Sequence, residues 1–254
     1  MGLLIDSQLV VGYLLALTRT IAWVMITPPF GTRMVPTRIK VGLAAALTLA
    51  VGAEVQGHAV PLDAGSLLGA AAVQVAIGVT MGFIGVVVFA AVQAAGATLD
   101  LFGGFALAQV FDPQSNVQTS LFGRFYNVLA VTLLFAIGGH LLLVRGLLRS
   151  FDAVPATGFR AGGVAHILTN DVGVLLLAGL EIAAPLLAAL FLADVALGLL
   201  SRAAPEMHVF VLGLPVKILL TLTLTGLALP LLPGAVSSLA DRIVRDGLQV
   251  VGIG

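Results

Sequence analysis

The 254-residue sequence contains no cysteine, which excludes disulfides, thiolate catalysis and cysteine-ligated metals. Its histidines, at positions 58, 140, 166 and 208, never form the HxxxH or HExxH spacing of a metal site. No GxSxG motif and no nucleotide-binding P-loop occurs either. We therefore expect no metal, no cofactor and no enzymatic activity.

Charge is also scarce, at 9% of residues against about 25% in an average soluble domain. With 59% hydrophobic residues and a mean hydropathy of +1.14, the composition predicts an integral membrane protein. The formal net charge is +0 and no basic cluster occurs, so we expect no nucleic-acid partner. The first residues lack the basic region of a cleavable signal, which predicts that the first apolar segment is a retained anchor.

The apolar residues that dominate the chain fall into six segments and predict an all-α membrane protein of about six long apolar helices. The segments cover residues 8–30, 41–55, 65–95, 125–144, 172–201 and 210–232. The second is short for a crossing, which needs about 20 residues, whereas the third is too long for one perpendicular crossing. No polar linker divides the chain, so we predict one unit over 1–254. Residues 234–254 alternate apolar and charged positions and predict an amphipathic, interfacial tail helix.

Small residues are dense in the third segment, where Gly78 and Gly82 have the spacing that lets two helix backbones approach closely. The interval 96–124 differs from its surroundings. It contains a Gly103-Gly104 break, the polar run DPQSNVQTS and, at its flanks, five of the 13 phenylalanines. We expect a loop that packs against another part of the structure. The interval 145–171 is interpreted as a loop with short helical pieces.

Charged side chains inside apolar segments are the second unusual feature, because each costs about 2.5–3.5 kcal/mol at bilayer depth. We interpret them as polar anchors between helices or between subunits: Arg19, Glu181, Asp194, Arg202, Glu206 and Lys217. For Arg19, snorkelling to a membrane interface stays open as an alternative.

The helical positions of these charges argue against an acid pair. Glu181 and Asp194 are about 220° apart around one helix, whereas Asp194 and Arg202 differ by about 80° and can line one side. Two prolines in the same region, Pro185 and Pro215, are predicted to kink their helices.

Basic residues do not give a consistent topology. The short loop with Arg33, Arg38 and Lys40 predicts a cytoplasmic position, yet simple alternation then places Arg145, Arg149, Arg160, Arg242 and Arg245 outside. Segments enclosed by other subunits need not obey lipid rules. Two interpretations remain open at this stage: a small-molecule or ion permease with broken helices, in which no internal repeat is visible, and a subunit of a larger membrane complex.

Three blocks of sequence resemble the FliR family of flagellar type III export proteins, whose injectisome counterpart is SctT. The first block is TPPFGTRMVPTRIKVGLAAALTL at residues 27–49. The second, at 93–155, contains the turn DPQS and the strings LLFAIGGH and SFDAVP. The third, at 181–222, contains ALGLLSRAAP and, shortly after it, FVLGLPVK. The resemblance covers nearly the whole chain.

The resemblance implies a protein built like a fusion of FliP-like and FliQ-like subunits, in hairpins, within a helical ring assembly in the bacterial inner membrane. Its implied partners are FliP-like, FliQ-like and FlhB-like subunits, membrane lipid and unfolded export substrates. The assembly would be a multi-pass part of the flagellar basal body. The injectisome branch remains an alternative to the flagellar one.

The resemblance also implies that the interval 96–124 contains a plug of the closed pore. By position, the matching residues are Val110, Phe111, Asp112, Pro113, Gln114, Ser115, Asn116, Val117 and Gln118.

Overall fold

The computed structural model describes residues 7–51, 60–106, 120–153, 161–204 and 209–250. Within these ranges the chain forms eight α-helices and no strand, as expected for the all-α class. The helices are α1 (Ser7–Ile26), α2 (Thr37–Val51), α3 (Ala64–Phe102), α4 (Leu121–Ala136), α5 (Gly139–Ala153), α6 (Ala161–Ala203), α7 (Val209–Ala228) and α8 (Leu232–Val250). A 3-10 turn, Leu229–Leu231, joins α7 to α8.

Four stretches of the described helices are long and apolar enough to cross a membrane: Ser7–Ile26, Ala64–Gly103, Gly179–Ala203 and Gly213–Gln249. A fifth arises if α4 and α5 are taken together as one broken span. The prediction of an all-α membrane protein is therefore confirmed. The second predicted segment corresponds to α2, whose 15 residues are fewer than the roughly 20 needed for a crossing.

Two predicted boundaries were wrong. The segment 125–144 is not one helix, because Gly138 adopts a positive φ of 74°, which ends α4 and separates it from α5. The interval 145–171 is not mainly a loop, since α5 continues to Ala153 and the 43-residue α6 begins at Ala161. The glycines and arginines of this interval suggested irregular structure, but residues 145–153 and 161–171 are helical.

Helices extend into both ends of the interval 96–124, which was predicted as a loop. Residues 96–102 belong to α3 and residues 121–124 belong to α4. The predicted break at Gly103-Gly104 is confirmed, because α3 ends at Phe102 and Gly104 has a φ of 84°. At its other end α3 begins after Asp63, whose carboxylate accepts a hydrogen bond from the Ser66 amide at 2.9 Å. Hydrogen bonds from Ser66 lower the pKa of Asp63, as expected for a carboxylate at a helix N-terminus.

The chain divides into two compact units, each made of separate stretches of sequence. The first unit comprises Met1–Val88, Gly138–Val172 and Ser238–Gly254. In it, α1 packs on α3 at the predicted small residues: a Cβ on Gly78 would lie 2.9 Å from the Ala22 Cβ, and one on Gly82 would lie 3.1 Å from the Ile26 Cβ. Only glycine permits this separation of the two helices, so the predicted close packing is present.

The last helix belongs to the first unit from Ser238 onwards, and there its apolar face is covered by protein. Leu239, Ala240 and Ile243 are buried, and the Val244 side chain lies against Gly146 of α5. The described part of the tail is thus helical and packs these apolar residues on the protein, while its position at a membrane interface stays a prediction. Residues 251–254 of the predicted tail lie outside the described residues.

The second unit comprises Phe89–Ile137 and Gly173–Ser237. It contains the end of α3, all of α4 and α7, and most of α6. Gly179 of α6 approaches the backbone of α3, where a Cβ would lie 2.6 Å from the Ala91 carbonyl oxygen. Both predicted kink positions, Pro185 and Pro215, lie inside continuous helices, α6 and α7. The kinks themselves stay a prediction.

Candidate functional site at the base of the α3–α4 connection

The two ends of the interval between α3 and α4 meet at Asp100, a buried carboxylate only 3% exposed. Its two oxygens each lie 3.1 Å from the backbone nitrogen of Phe122, which donates to them. The Ser120 hydroxyl also donates to Oδ2 of Asp100. We call Asp100, Ser120 and Phe122 the α3–α4 clamp.

The clamp forms because the first turn of a helix has backbone N–H groups without intrahelical partners. Ser120 is the N-cap of α4, and its hydroxyl oxygen accepts a hydrogen bond of 2.7 Å from the Gly123 amide. Asp100 accepts the neighbouring amide, that of Phe122. The carboxylate also lies at the N-terminal end of the α4 dipole, which attracts negatively charged groups. Together the two side chains satisfy two of the free donors of α4.

A close approach of the helix backbones brings the clamp residues within reach of one another. Gly96 of α3 faces Gly123 of α4, and a Cβ on Gly96 would lie 2.8 Å from the Gly123 Cα. Any larger residue at either position would separate the helices. The glycines therefore hold α4 close enough for Asp100 to reach its first turn.

Aromatic rings pack against Phe122, the clamp residue on α4. The rings of Phe105 and Phe122 pack edge to face with centroids 5.1 Å apart, and Phe122 contacts Phe125 at 6.4 Å in the same way. Phe125 in turn lies 6.0 Å from Tyr126. These contacts join phenylalanines of the interval to one another, so packing of the loop against another part of the structure stays a prediction.

Helix α7 packs against the end of α3, at Gly103 and Gly104. A Cβ on Gly103 would lie 2.7 Å from the Thr221 hydroxyl oxygen, and one on Gly104 would lie 2.7 Å from Cδ1 of Leu214. Both glycines are buried. The end of α3, the start of α4 and the middle of α7 therefore form one packed base. The residues predicted to plug the pore, 110–118, lie outside the described residues, as does Glu206.

Two of the predicted anchors form an ion pair with each other. Lys217 Nζ lies 2.6 Å from Asp194 Oδ1, with side-chain exposures of 18% and 41%. Helical spacing predicted that Asp194 lines one side of its helix with Arg202, but the partner of Asp194 is Lys217 on α7. Arg202 and Glu181 are exposed on the surface of this chain. An anchoring role toward other subunits stays a prediction for both.

Arg19 lies in the first unit and is only 1% exposed. Its guanidinium donates to Gln74 Oε1 of α3 at 2.6 Å and to the Ser150 carbonyl oxygen of α5 at 2.6 Å. It also lies 4.3 Å from the centre of the Phe151 ring, a cation–π distance. These contacts place the buried Arg19 between three helices, α1, α3 and α5. Lys40, which was predicted in the basic loop, lies in α2, where it is likewise buried and donates to the Gly31 carbonyl oxygen at 2.9 Å.

Sequence inspection missed Asp100, Ser120, Gln74 and Ser150. Asp100 carried a usable signal, because a carboxylate in the apolar string LDLF is as costly as the charges that were singled out. Ser120 directly precedes an apolar run, which is a helix N-cap signal. Gln74 and Ser150 carried no such signal in the sequence, because both act as hydrogen-bond acceptors for Arg19, which is close to them only in the folded chain. Among the described residues, no cluster of potential metal ligands occurs.

Comparison with known proteins identifies the family. Residues 10–243 match the family described as bacterial export proteins, family 1. The chain is 33% identical over 221 residues to the flagellar biosynthetic protein FliR of Escherichia coli (strain K12), covering 87% of this chain and 85% of that protein. It is 30% identical over 250 residues to FliR of Bacillus subtilis (strain 168), covering 95% and 96%. The Yop proteins translocation protein T of Yersinia pestis is 30% identical over 210 residues, covering 81% and 80%. The resemblance found in the sequence is thus confirmed, and the chain belongs to the bacterial export protein family 1, together with the FliR proteins.

Proposed function

We propose that this chain is a subunit of the flagellar type III protein export gate in the bacterial inner membrane. In this role it forms, with FliP-like and FliQ-like proteins, the pore through which unfolded flagellar proteins pass, and it contacts a FlhB-like subunit in the basal body. The observation that carries the proposal is the family match over 10–243, together with similarity to FliR proteins along nearly the whole chain. Family membership makes the chain an export component rather than an enzyme.

The distribution of apolar surface supports a role inside an assembly. In the 18-residue apolar stretch of Ala64–Gly103 most residues are buried by the chain itself, whereas in the corresponding stretches of Gly179–Ala203 and Gly213–Gln249 most are not. Large apolar side chains such as Phe191, Leu199 and Leu219 are exposed on α6 and α7. These faces need lipid or other subunits to cover them. Charges such as Glu181 and Arg202 on the same helix favour protein neighbours, because lipid does not accommodate them.

The flagellar branch is favoured over the injectisome branch by coverage. FliR of B. subtilis aligns over 250 residues, whereas the Yersinia translocation protein aligns over 210 at the same identity of 30%. The injectisome role remains the second candidate. Because residues 10–243 match an export protein family, we no longer propose the permease alternative.

Co-expression with the FliP-like and FliQ-like proteins of the same genome tests the partner assignment. We expect all three to co-purify after detergent solubilisation as one complex much larger than this 25.9 kDa chain. Purification of this chain alone, as a monomer, under conditions that keep the other two proteins together would contradict the proposal. A size-exclusion profile with quantified subunit bands decides between the two results.

The plug role of 110–118 is part of the proposal and has its own test. Deletion of these nine residues, Val110 to Gln118, is expected to leave the complex assembled but permeable to ions. Conductance of the reconstituted complex in planar bilayers measures this directly. A matched control replaces the same nine residues by a Gly/Ser linker of equal length, which separates loss of the side chains from shortening of the chain. If neither variant conducts more ions nor alters secretion, the plug assignment is wrong.

A further inference from the structure

We propose that the outward sides of α5 and α8 in the first unit line the aqueous path that an unfolded polypeptide takes through the export gate. We call this surface the polar face. It consists of six exposed side chains: Arg145, Arg149 and Asp152 on α5, and Asp241, Arg245 and Gln249 on α8. The inference rests on the proposed function and adds to it the part of this chain that faces the exported protein.

The polar face is one surface, because α5 and α8 pack on each other. A Cβ on Gly146 of α5 would lie 3.2 Å from Cγ1 of Val244 of α8. Arg145 and Arg245 are the chain neighbours of these two contact residues, and both are exposed. In each helix the exposed polar residues recur at every third or fourth position, which is the spacing of one helix side.

Arg19 relates the depth of the polar face to that of α3. Its guanidinium donates to Gln74 of α3 and to the Ser150 carbonyl oxygen of α5, each at 2.6 Å. The chain neighbours of these two acceptors are Val75 and Arg149, and both are exposed. At one depth, therefore, the first unit presents an apolar side chain on α3 and an arginine on α5.

The exposed side of α3 in this unit carries no charge from Leu68 to Phe83. We call its large or branched positions, together with one alanine at the same spacing, the apolar stripe: Leu68, Ala72, Val75, Val79 and Phe83. Lipid tails or apolar helices can cover the apolar stripe, whereas charged side chains at bilayer depth face protein or water. The two surfaces of the first unit therefore need different surroundings.

Water suits the polar face better than a single protein partner does. The ion pairs of the described residues are Lys217–Asp194 and Arg242–Asp246, and neither includes a residue of the polar face. The face has three arginines and two aspartates, so a partner surface would have to match charges of both signs. An unfolded polypeptide of variable sequence can pass such a wall without being retained, because neither a large apolar patch nor a field of one sign holds it.

The absence of cysteine from the chain allows a direct test. Arg149→Cys and Arg245→Cys each place one thiol on the polar face. Val75→Cys and Val79→Cys place one thiol on the apolar stripe and are the matched controls. All four positions are exposed, so we expect each variant to assemble with the FliP-like and FliQ-like subunits, and co-purification verifies this.

The first measurement on each assembled complex is the rate of reaction with a charged, water-soluble methanethiosulfonate reagent. This reagent needs an ionised thiol in contact with water, so we expect the two polar-face thiols to react about tenfold faster or more than the two controls.

The second measurement is disulfide crosslinking to a flagellar export substrate that is stalled in the complex by a tightly folded fused domain. The substrate carries one cysteine in its unfolded part. We expect crosslinks from positions 149 and 245 and none from positions 75 and 79.

The outcomes distinguish this inference from the proposed function. Slow reaction at positions 149 and 245 overturns the inference, because protein or lipid then covers the polar face. Fast reaction without crosslinks, in a complex that retains the stalled substrate, also overturns it, since the face then lies in water outside the path. The proposed function stands in both cases. A complex that never retains the substrate contradicts the proposed function, and the inference fails with it.

Discussion

Lys217 on α7 and Asp194 on α6 are joined by an ion pair with 2.6 Å between Nζ and Oδ1. Lys217 is the only charged residue of α7, and the string around it, GLPVKILL, is otherwise apolar. A lysine at this position is explained by its partner, since a charge in apolar surroundings needs an opposite charge nearby. Next to the pair, Gly213 of α7 packs on Leu197 of α6, so the same two helices are held by charge and by close contact.

The ion pair of Lys217 and Asp194 predicts that substitutions of these two residues have non-additive effects on stability. Lys217→Met leaves the Asp194 carboxylate without this partner and is expected to cost about 1–3 kcal/mol, between the values for exposed and buried pairs. The double variant Asp194→Asn/Lys217→Met should be less damaging than Lys217→Met alone, because it removes the uncompensated charge. Thermal denaturation of the purified complex measures both. Arg124→Ala, which removes an exposed charge of α4, is the control and should leave the midpoint unchanged.

Arg202 is expected to behave differently from Lys217. Both were predicted as anchors, but Arg202 is exposed on this chain, whereas Lys217 has an internal partner. Arg202→Ala should therefore reduce co-purification of the partner subunits without lowering the thermal stability of the isolated chain. Lys217→Ala should reduce both. Quantified partner bands and a melting curve for each variant provide the comparison, and normal co-purification with Arg202→Ala would remove this residue from the set of anchors.

Arg19 is predicted to be essential for the stability of the first unit. Arg19→Ala leaves buried acceptors on Gln74 and Ser150 and is expected to cost about 3–5 kcal/mol, as for other broken buried charge networks. Arg19→Lys should rescue little, since a single ammonium group cannot reproduce the guanidinium fork that reaches α3 and α5 together.

The measurement for Arg19 is the amount of folded chain in the membrane fraction and its melting temperature. Thr18→Ala, at the neighbouring position, is the control, because the exposed Thr18 hydroxyl donates to the Leu14 carbonyl oxygen within α1 itself. Arg19→Ala that accumulates and melts like the parent protein would show that the buried contacts contribute little.

Glycine 96 provides a test of the distance between α3 and α4. Gly96→Ala places a methyl group against the backbone of Phe122 and Gly123 and is expected to cost about 1–3 kcal/mol through overpacking. Gly69→Ala, in the same helix, meets nothing within 4 Å and should be neutral or slightly stabilising, because alanine favours a helix. Melting temperatures of the two variants give the comparison. Equal effects would mean that α4 does not approach α3 as closely as described.

Much of the helical architecture could be predicted from the sequence, for a physical reason. Long apolar runs must satisfy their backbone groups internally, and only helices do so within one segment. Glycine spacing in α3 likewise indicated a close helix–helix contact, whereas the partner helix, α1, was identified only in the structure. The break at Gly138 was missed because hydropathy does not change there, and only the positive φ of that glycine ends the helix.

The contacts that define the candidate site could not be predicted in the same way. Asp100 and Phe122 are 22 residues apart, and Arg19 and Ser150 are 131 apart, so no local periodicity links them. Asp194 illustrates the limit most clearly. Helical spacing placed it on one side with Arg202, but its partner lies on the next helix, which the angle around a single helix does not include. The family resemblance provided the function, while the structure provided the partners of Arg19, Asp194 and Lys217.

The most direct test of the account is protein export itself. The gene for this chain is deleted in its own host, and the amount of flagellar protein in the medium is compared with the amount inside the cells. We predict that export stops while synthesis continues, and that a plasmid copy of the chain restores export. Continued export of flagellar proteins in the deletion strain would contradict the assignment of this chain to the export gate.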